Sequence, residues 1–208
     1  MRPALGTLLR AASFALALSI VARAQSNPVP EKYRSFVFYN VDRRGVFEKA
    51  LNAVGKSGVP VGRSFALIAG VTQYPNLPPA KKTLQAAQVD LDNLERYLRD
   101  QEFFDVIVVL KDGAMNYDNL QYFLGTYFPA LLTHSPHSRF LFAYSGHGYA
   151  LGSGATAQGY LLTSAATSMN DKVNRLPMDV LHTLMGPVVD SANCPASAGN
   201  GKGAQPLR

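Results

Sequence analysis

The chain has 208 residues, 47% of them hydrophobic and 16% charged, and a formal net charge of +6. That length and balance suit one substantial core and exclude a disordered or fibrous chain. A single cysteine excludes an intramolecular disulfide, no cysteine cluster marks a zinc site, and no Lys/Arg run interleaved with aromatics marks a nucleic-acid surface.

The chain opens on a basic start, "MRPALGTLLR", followed by the apolar run "AASFALALSIVA" and the small-residue stretch "ARAQ". This order reads as a secretory signal peptide over residues 1–24, cut after Ala24. The apolar run is shorter than the ~20 residues that a membrane span needs. The expectation is therefore a secreted or periplasmic protein without a stable membrane span after cleavage. Removing the leader takes away Arg2, Arg10 and Arg23, half of the +6 excess, so much of the basic balance belongs to export.

Residues 25–62 read as a linker and N-terminal extension. "SNPVPEKY" is polar and proline-containing, and Arg34 to Gly62 has room for a strand and a short helix ending at Gly55. No function follows from this segment. From Ser64 the pattern becomes regular. "SFALIAGV" is a continuous apolar run of strand length, as in a strand buried on both faces. In "TLQAAQVDLDNLERYLRD", Leu84, Ala87, Leu91, Leu94 and Leu98 recur at spacings of three and four and make one apolar helical face. "FDVIVVL" is a second buried strand, "NYDNLQYFLGTYFPALL" a second helix and "SRFLFAYSG" a third strand.

Strand, helix, strand, helix, strand predicts right-handed crossovers and a three-layer α/β/α sandwich with a mainly parallel sheet. "GYLLTSA" adds a short strand, and "LPMDVLHTLMGPVV" a helix entered by a proline. Residues 188–208, poor in hydrophobics and rich in Ser, Ala, Asn and Gly, read as a disordered or divergent tail.

Ligands of such sheets bind beyond the carboxyl ends of the strands, where "SGHG" falls. A histidine directly after a buried strand has a fixed backbone, and the flanking Gly146 and Gly148 let a substrate approach the chain. The backbone N–H of Gly148 is then available to an oxyanion. The plainer alternative, a turn that needs glycine and carries an incidental histidine, stays open at this point. His134 and His137, in "THSPHS", read as solvated, and His182 as a surface residue of the late helix.

Three other motifs carry less. "ALNAVGKS" has Ala50 where a phosphate-binding loop needs its first glycine and follows a helix where a strand is required. Around Ser145 the glycine positions of a serine nucleophile elbow hold Ala143 and His147. "SGHGYALGSG" opens no helix that would support an anion.

The segments "RSFALIAGVTQYPNLP", "LQAAQVDLDNLERYLRDQEFFDVIVVLKDGAMNYDNLQYFL" and "SRFLFAYSGHGYALG…GYLLTSAA", in this order, resemble the large catalytic unit of the caspase-like cysteine peptidases, particularly bacterial and metacaspase-type members. The match runs from about Arg63 to about Pro187, and its most specific element is "YSGHG" at the end of the third strand. The resemblance implies a caspase-like topology and a Cys–His dyad that cleaves peptide bonds, with the thiolate as nucleophile. His147 matches the family's catalytic histidine and Gly148 its oxyanion-hole glycine. Asp90 matches an aspartate associated, in metacaspase-type members, with an acidic pocket for Arg or Lys. The position aligned with the aspartate-binding arginine of caspases proper holds Leu84, which favours cleavage after basic residues. The other reading of Asp90 is an exposed helix carboxylate near Lys81 and Lys82.

The resemblance breaks at the nucleophile. The family carries a fourth apolar strand ending in Asp-x-Cys, whereas here only Val188 and Val189 stand in its place. Cys194 lies 47 residues after His147, close to the ~50 of caspases. However, Asp190, the acid matched to the family's substrate-side aspartate, lies four residues before it, and Pro195 follows. Two expectations result: an exported cysteine endopeptidase using His147 and Cys194, or an inactive or truncated caspase-like module that binds peptides or partner chains. Neither needs a cofactor or a metal, calcium activation is left open, and an incomplete sheet would offer an open edge for self-association.

Overall fold

The computed structural model describes residues 29–39, 49, 53–55, 62–135 and 137–193. The signal peptide over 1–24, the Lys56 loop and Cys194 with the rest of the tail lie outside the described residues. A short helix α1 (Glu31–Arg34) leads into strand β1 (Val37–Tyr39). Of the helix expected before Gly55, only Lys49 and residues 53–55 are described, and Gly55 has the left-handed φ of +73° that ends helices on glycine.

The regular part begins with β2 (Ser64–Gly70), followed by a one-turn helix α2 (Pro79–Lys82), α3 (Gln85–Asp100) and β3 (Val106–Lys111). Next come α4 (Tyr117–Tyr122), a π-helical segment Phe123–Tyr127, α5 (Phe128–Thr133) and β4 (Arg139–Ser145). The sheet order is β1-β3-β2-β4, with β2 parallel to both β3 and β4 and β1 antiparallel on β3. The expected mainly parallel sheet is therefore present.

Its two faces alternate as strand geometry requires. Phe65, Leu67 and Ala69 of β2 join Val106, Val108 and Leu110 of β3 on one face, under Leu120, Phe123, Leu124 and Phe128. Ala66, Ile68 and Ile107 turn the other way, onto Leu91 and Leu98 of α3. The expected apolar face of α3 is the one it buries, with Ala87, Leu91 and Leu98 at 5%, 2% and 3% exposure.

The second helix is not uniform. Asn116 caps it by accepting the Asn119 N–H at 3.0 Å. Pro129 then removes the N–H that would have bonded the Gly125 carbonyl, and the chain widens into the π segment just before it.

Beyond β4 lies a small antiparallel sheet that the sequence shows only in its middle strand. β5 (Gly148–Leu151), β6 (Gln158–Leu162) and β7 (Arg175–Pro177) pair in that order. β5 and β7 are too short and too mixed in composition for a period to be read. The loop between β6 and β7 is tied by Asp171, whose carboxylate accepts the N–H groups of Thr167, Val173 and Asn174 at 2.8–2.9 Å.

The late helix α6 spans Met178–Asn193 and packs on the π segment and α5. Two expectations are corrected here. Leu176 and Pro177 belong to β7, so the helix starts at Met178, and residues 188–193 continue it where a tail was expected. Pro187 does not end the helix, because buried Val188 anchors the following turn. Among the described residues, β4 pairs only with β2, and its Phe140–Tyr144 stretch is half-buried where Phe65–Gly70 of β2 is buried. No helix among the described residues is long and apolar enough to cross a membrane.

Candidate active site at the carboxyl ends of the parallel strands

The register aligns Gly70 with both Lys111 and Ser145, so β2, β3 and β4 end on one row. Gly70 has to be glycine there: a Cβ would lie 2.5 Å from the Ser145 carbonyl oxygen and 2.6 Å from Leu91 Cδ1. The loops leaving this row are stitched together. The Asp112 carboxylate accepts the N–H groups of Thr72 and Gln73 at 2.7 and 2.9 Å, which ties the end of β3 to the loop after β2. Lys111 pairs with Asp92 of α3, and that contact holds the Asp92 carboxyl below the usual carboxylate range.

His147 leaves the end of β4 and is fixed by its backbone. Its N–H donates to the Tyr74 hydroxyl at 2.7 Å, and its carbonyl accepts the Leu162 N–H at 3.0 Å and the Tyr144 hydroxyl at 3.3 Å. The imidazole packs against the Tyr74 ring, with centroids 4.7 Å apart, and Nε2 lies 3.1 Å from the Lys81 carbonyl oxygen. A carbonyl only accepts, so Nε2 carries the proton and the neutral ring keeps its lone pair on Nδ1. The arrangement therefore gives a base with one defined basic nitrogen on a half-buried side chain. Burial pushes the hydroxyls of Tyr74 and Tyr144 upward in pKa, so both remain protonated donors beneath the loop.

Gly148 begins β5 opposite Leu161. Bonded and non-bonded pairs alternate along an antiparallel ladder, and the Leu162 N–H already bonds the His147 carbonyl. Gly148 and Leu161 are therefore a non-bonded pair, and the Gly148 N–H is directed away from β6. That leaves an exposed amide donor one residue from the imidazole.

The other expected site residues are dispersed. Asp90 is exposed in the second turn of α3, a helix that begins at the histidine end of the sheet. It makes no ion pair with Lys81 or Lys82. Asp190 is exposed on α6, twelve residues past Met178 and so about 18 Å farther along the helix axis, not at a strand end. His182 is exposed, and His134 bonds its own helix through Nδ1 and the Ala130 carbonyl at 2.7 Å. Among the described residues, no three His, Cys, Asp or Glu side chains gather as a metal site.

Sequence reading alone overlooked Tyr74, Tyr144 and Lys81. Tyr74 carries a usable signal, as a lone aromatic in the proline-flanked loop "TQYPNLP" after a buried strand. Such a ring has to be buried against the strand ends, and it is 0% exposed. Lys81 has no such signal, since it acts through its backbone carbonyl.

No curated protein matches the chain. A family model described as the caspase domain matches residues 63–188. Its span opens at the first parallel strand and takes in α3, the histidine loop, the small sheet and most of α6. The match therefore covers every element that positions His147, and with it more than half of the chain, which belongs to the caspase-domain family of cysteine peptidases.

Proposed function

We propose that the protein is an exported cysteine-type endopeptidase in which His147 is the general base. The supporting observation is the imidazole itself, held at Nε2 by the Lys81 carbonyl at 3.1 Å, with no partner at Nδ1 among the described residues. In this reading Nδ1 takes the thiol proton and the thiolate attacks the peptide carbonyl carbon. The Gly148 N–H donates to the developing oxyanion, and the imidazolium returns the proton to the leaving amine. Water then hydrolyses the thioester by the same proton route. Cys194, the single cysteine of the sequence, is the proposed nucleophile.

Asp90, exposed and without an ion pair to the neighbouring lysines, supports a preference for Arg or Lys before the scissile bond. The test is turnover of Arg-, Lys- and Asp-terminated reporter peptides by the purified full chain, with and without calcium. Cleavage after basic residues, with alkylation of Cys194 that depends on His147, is the expected result. No turnover and no His147-dependent alkylation would overturn the assignment. Export is tested by recovering the protein outside the cytoplasm and sequencing its N-terminus, which should begin at Gln25.

A second reading has its own observation. The described end of the chain is the helix α6, not a strand beside β4, and β4 keeps an open outer edge among the described residues. On this reading the protein is a non-catalytic caspase-like module that holds an extended peptide or another chain against β4. Turnover abolished by Cys194→Ala would refute it.

A further inference from the structure

We propose that Tyr74 is a positioning residue for His147: its hydroxyl is inserted into the ladder between the histidine loop and β6, and its backbone fixes the segment that orients the imidazole. The inference rests on the reading of His147 as the base.

In a regular antiparallel pair the two residues exchange both of their N–H···O bonds. His147 and Leu162 exchange only one. The Leu162 N–H donates to the His147 carbonyl at 3.0 Å, but the His147 N–H donates to the Tyr74 hydroxyl at 2.7 Å. The Tyr74 hydroxyl in turn donates to the Leu162 carbonyl at 3.5 Å, which also accepts the Tyr144 hydroxyl at 3.3 Å, so the Tyr74 phenol, with Tyr144 beside it, stands between the two groups that the ladder would have joined. The ladder is held open at the one residue that carries the base.

Gly146 makes room for this arrangement. A Cβ there would lie 2.4 Å from the Tyr144 hydroxyl and 3.0 Å from that of Tyr74.

The same residue also sets the ring. The Tyr74 backbone N–H donates to the Lys82 carbonyl at 2.7 Å, beside the Lys81 carbonyl that faces His147 Nε2. The backbone and the imidazole of His147 are thus both referenced to Tyr74, 73 positions away in sequence. For filling a buried space phenylalanine would serve equally well, and a buried hydroxyl persists only where it is satisfied. The hydroxyl of Tyr74 is satisfied by the histidine loop.

The test is Tyr74→Phe in the full chain, with Tyr144→Phe as its control. The phenyl ring stays in place and holds the ladder open, leaving the His147 N–H without an acceptor. Amide exchange of His147, followed by NMR with labelled histidine, should accelerate about tenfold, the effect of losing one buried hydrogen bond. In Tyr144→Phe it should stay within about twofold, because that hydroxyl bonds the His147 and Leu162 carbonyls and not the His147 N–H. Under the peptidase reading, kcat of Tyr74→Phe falls about 10- to 100-fold with KM nearly unchanged, the signature of a misplaced base.

Unchanged exchange in Tyr74→Phe overturns the proposal. So does an equal rise in Tyr144→Phe, which would mean general loosening of the loop, and so does an unchanged kcat. A wild-type protein that cleaves none of the peptides counts against the peptidase reading alone, and the exchange measurement still decides the role of Tyr74.

Discussion

His147 and Asp171 show how differently single side chains are used here. His147 spends its backbone groups and Nε2 on being held, and under the peptidase reading Nδ1 is the atom that takes the thiol proton. His147→Ala should lower kcat/KM on a basic reporter peptide by about 10²- to 10⁴-fold, the usual worth of a positioned general base, with a stability loss of only about 1 kcal/mol from the lost Nε2 bond. Asp171 spends its whole carboxylate on structure. Its hydrogen bonds, first among them the Asn174 N–H, hold its pKa well below the ordinary carboxylate range. Because the folded value is depressed, its contribution to stability is complete above about pH 4 and fades as acid protonates the folded carboxylate. Thermal melts over that acid range should show this limb in the wild type and a flatter one in Asp171→Ala. Equal acid slopes would remove Asp171 from the account.

At the level of elements, α3 and the row of strand ends carry the site. Leu91 is 2% exposed, and its Cδ1 marks the spot that a Cβ on Gly70 would invade. Leu91→Ala should destabilise the protein by about 2–5 kcal/mol in chemical denaturation. Gly70→Ala should cost about 1–3 kcal/mol, because the intruding Cβ meets the Ser145 backbone as well as a side chain. The long elements were legible in the sequence because burial leaves a period: the leucines of α3 at three and four, and the unbroken apolar runs of β2 and β3. The short ones were not. β5 and β7 have four and three residues, and their pairing with β6 is set by the turns that join them to it, through Gly152 and Gly154 and through the Asp171-tied loop, rather than by any local preference. The last residues of α6, from Asp190 to Asn193, were equally hidden, since the preceding proline and their polar composition argue against helix. For the candidate site, His147 and Gly148 could be proposed from "SGHG", whereas the groups that hold His147 could not. Tyr74 acts across 73 positions, and Lys81 acts through a carbonyl that every residue possesses.

At the scale of the whole molecule, the sheet ends on two unlike edge strands among the described residues. β1 is a three-residue antiparallel edge beyond β3, and β4, the longer edge, faces outward among the described residues with a half-buried apolar stretch. Sedimentation over a range of concentrations should show association, and Leu141→Lys, a charge on that strand, should weaken it. Concentration-independent monomers would leave the edge without a partner. The row on which β2, β3 and β4 end also bears on when the protein becomes competent. Its ties, Thr72 to Asp112 and Tyr74 to His147, join residues 40 and 73 positions apart. Contacts of such separation form late and together, after the costly closure of long loops. A partly synthesised or partly folded chain therefore has a histidine but no oriented base. Under the peptidase reading, the imidazole should become oriented in a single step as the last parallel strand docks, a timing built into the order of the strands.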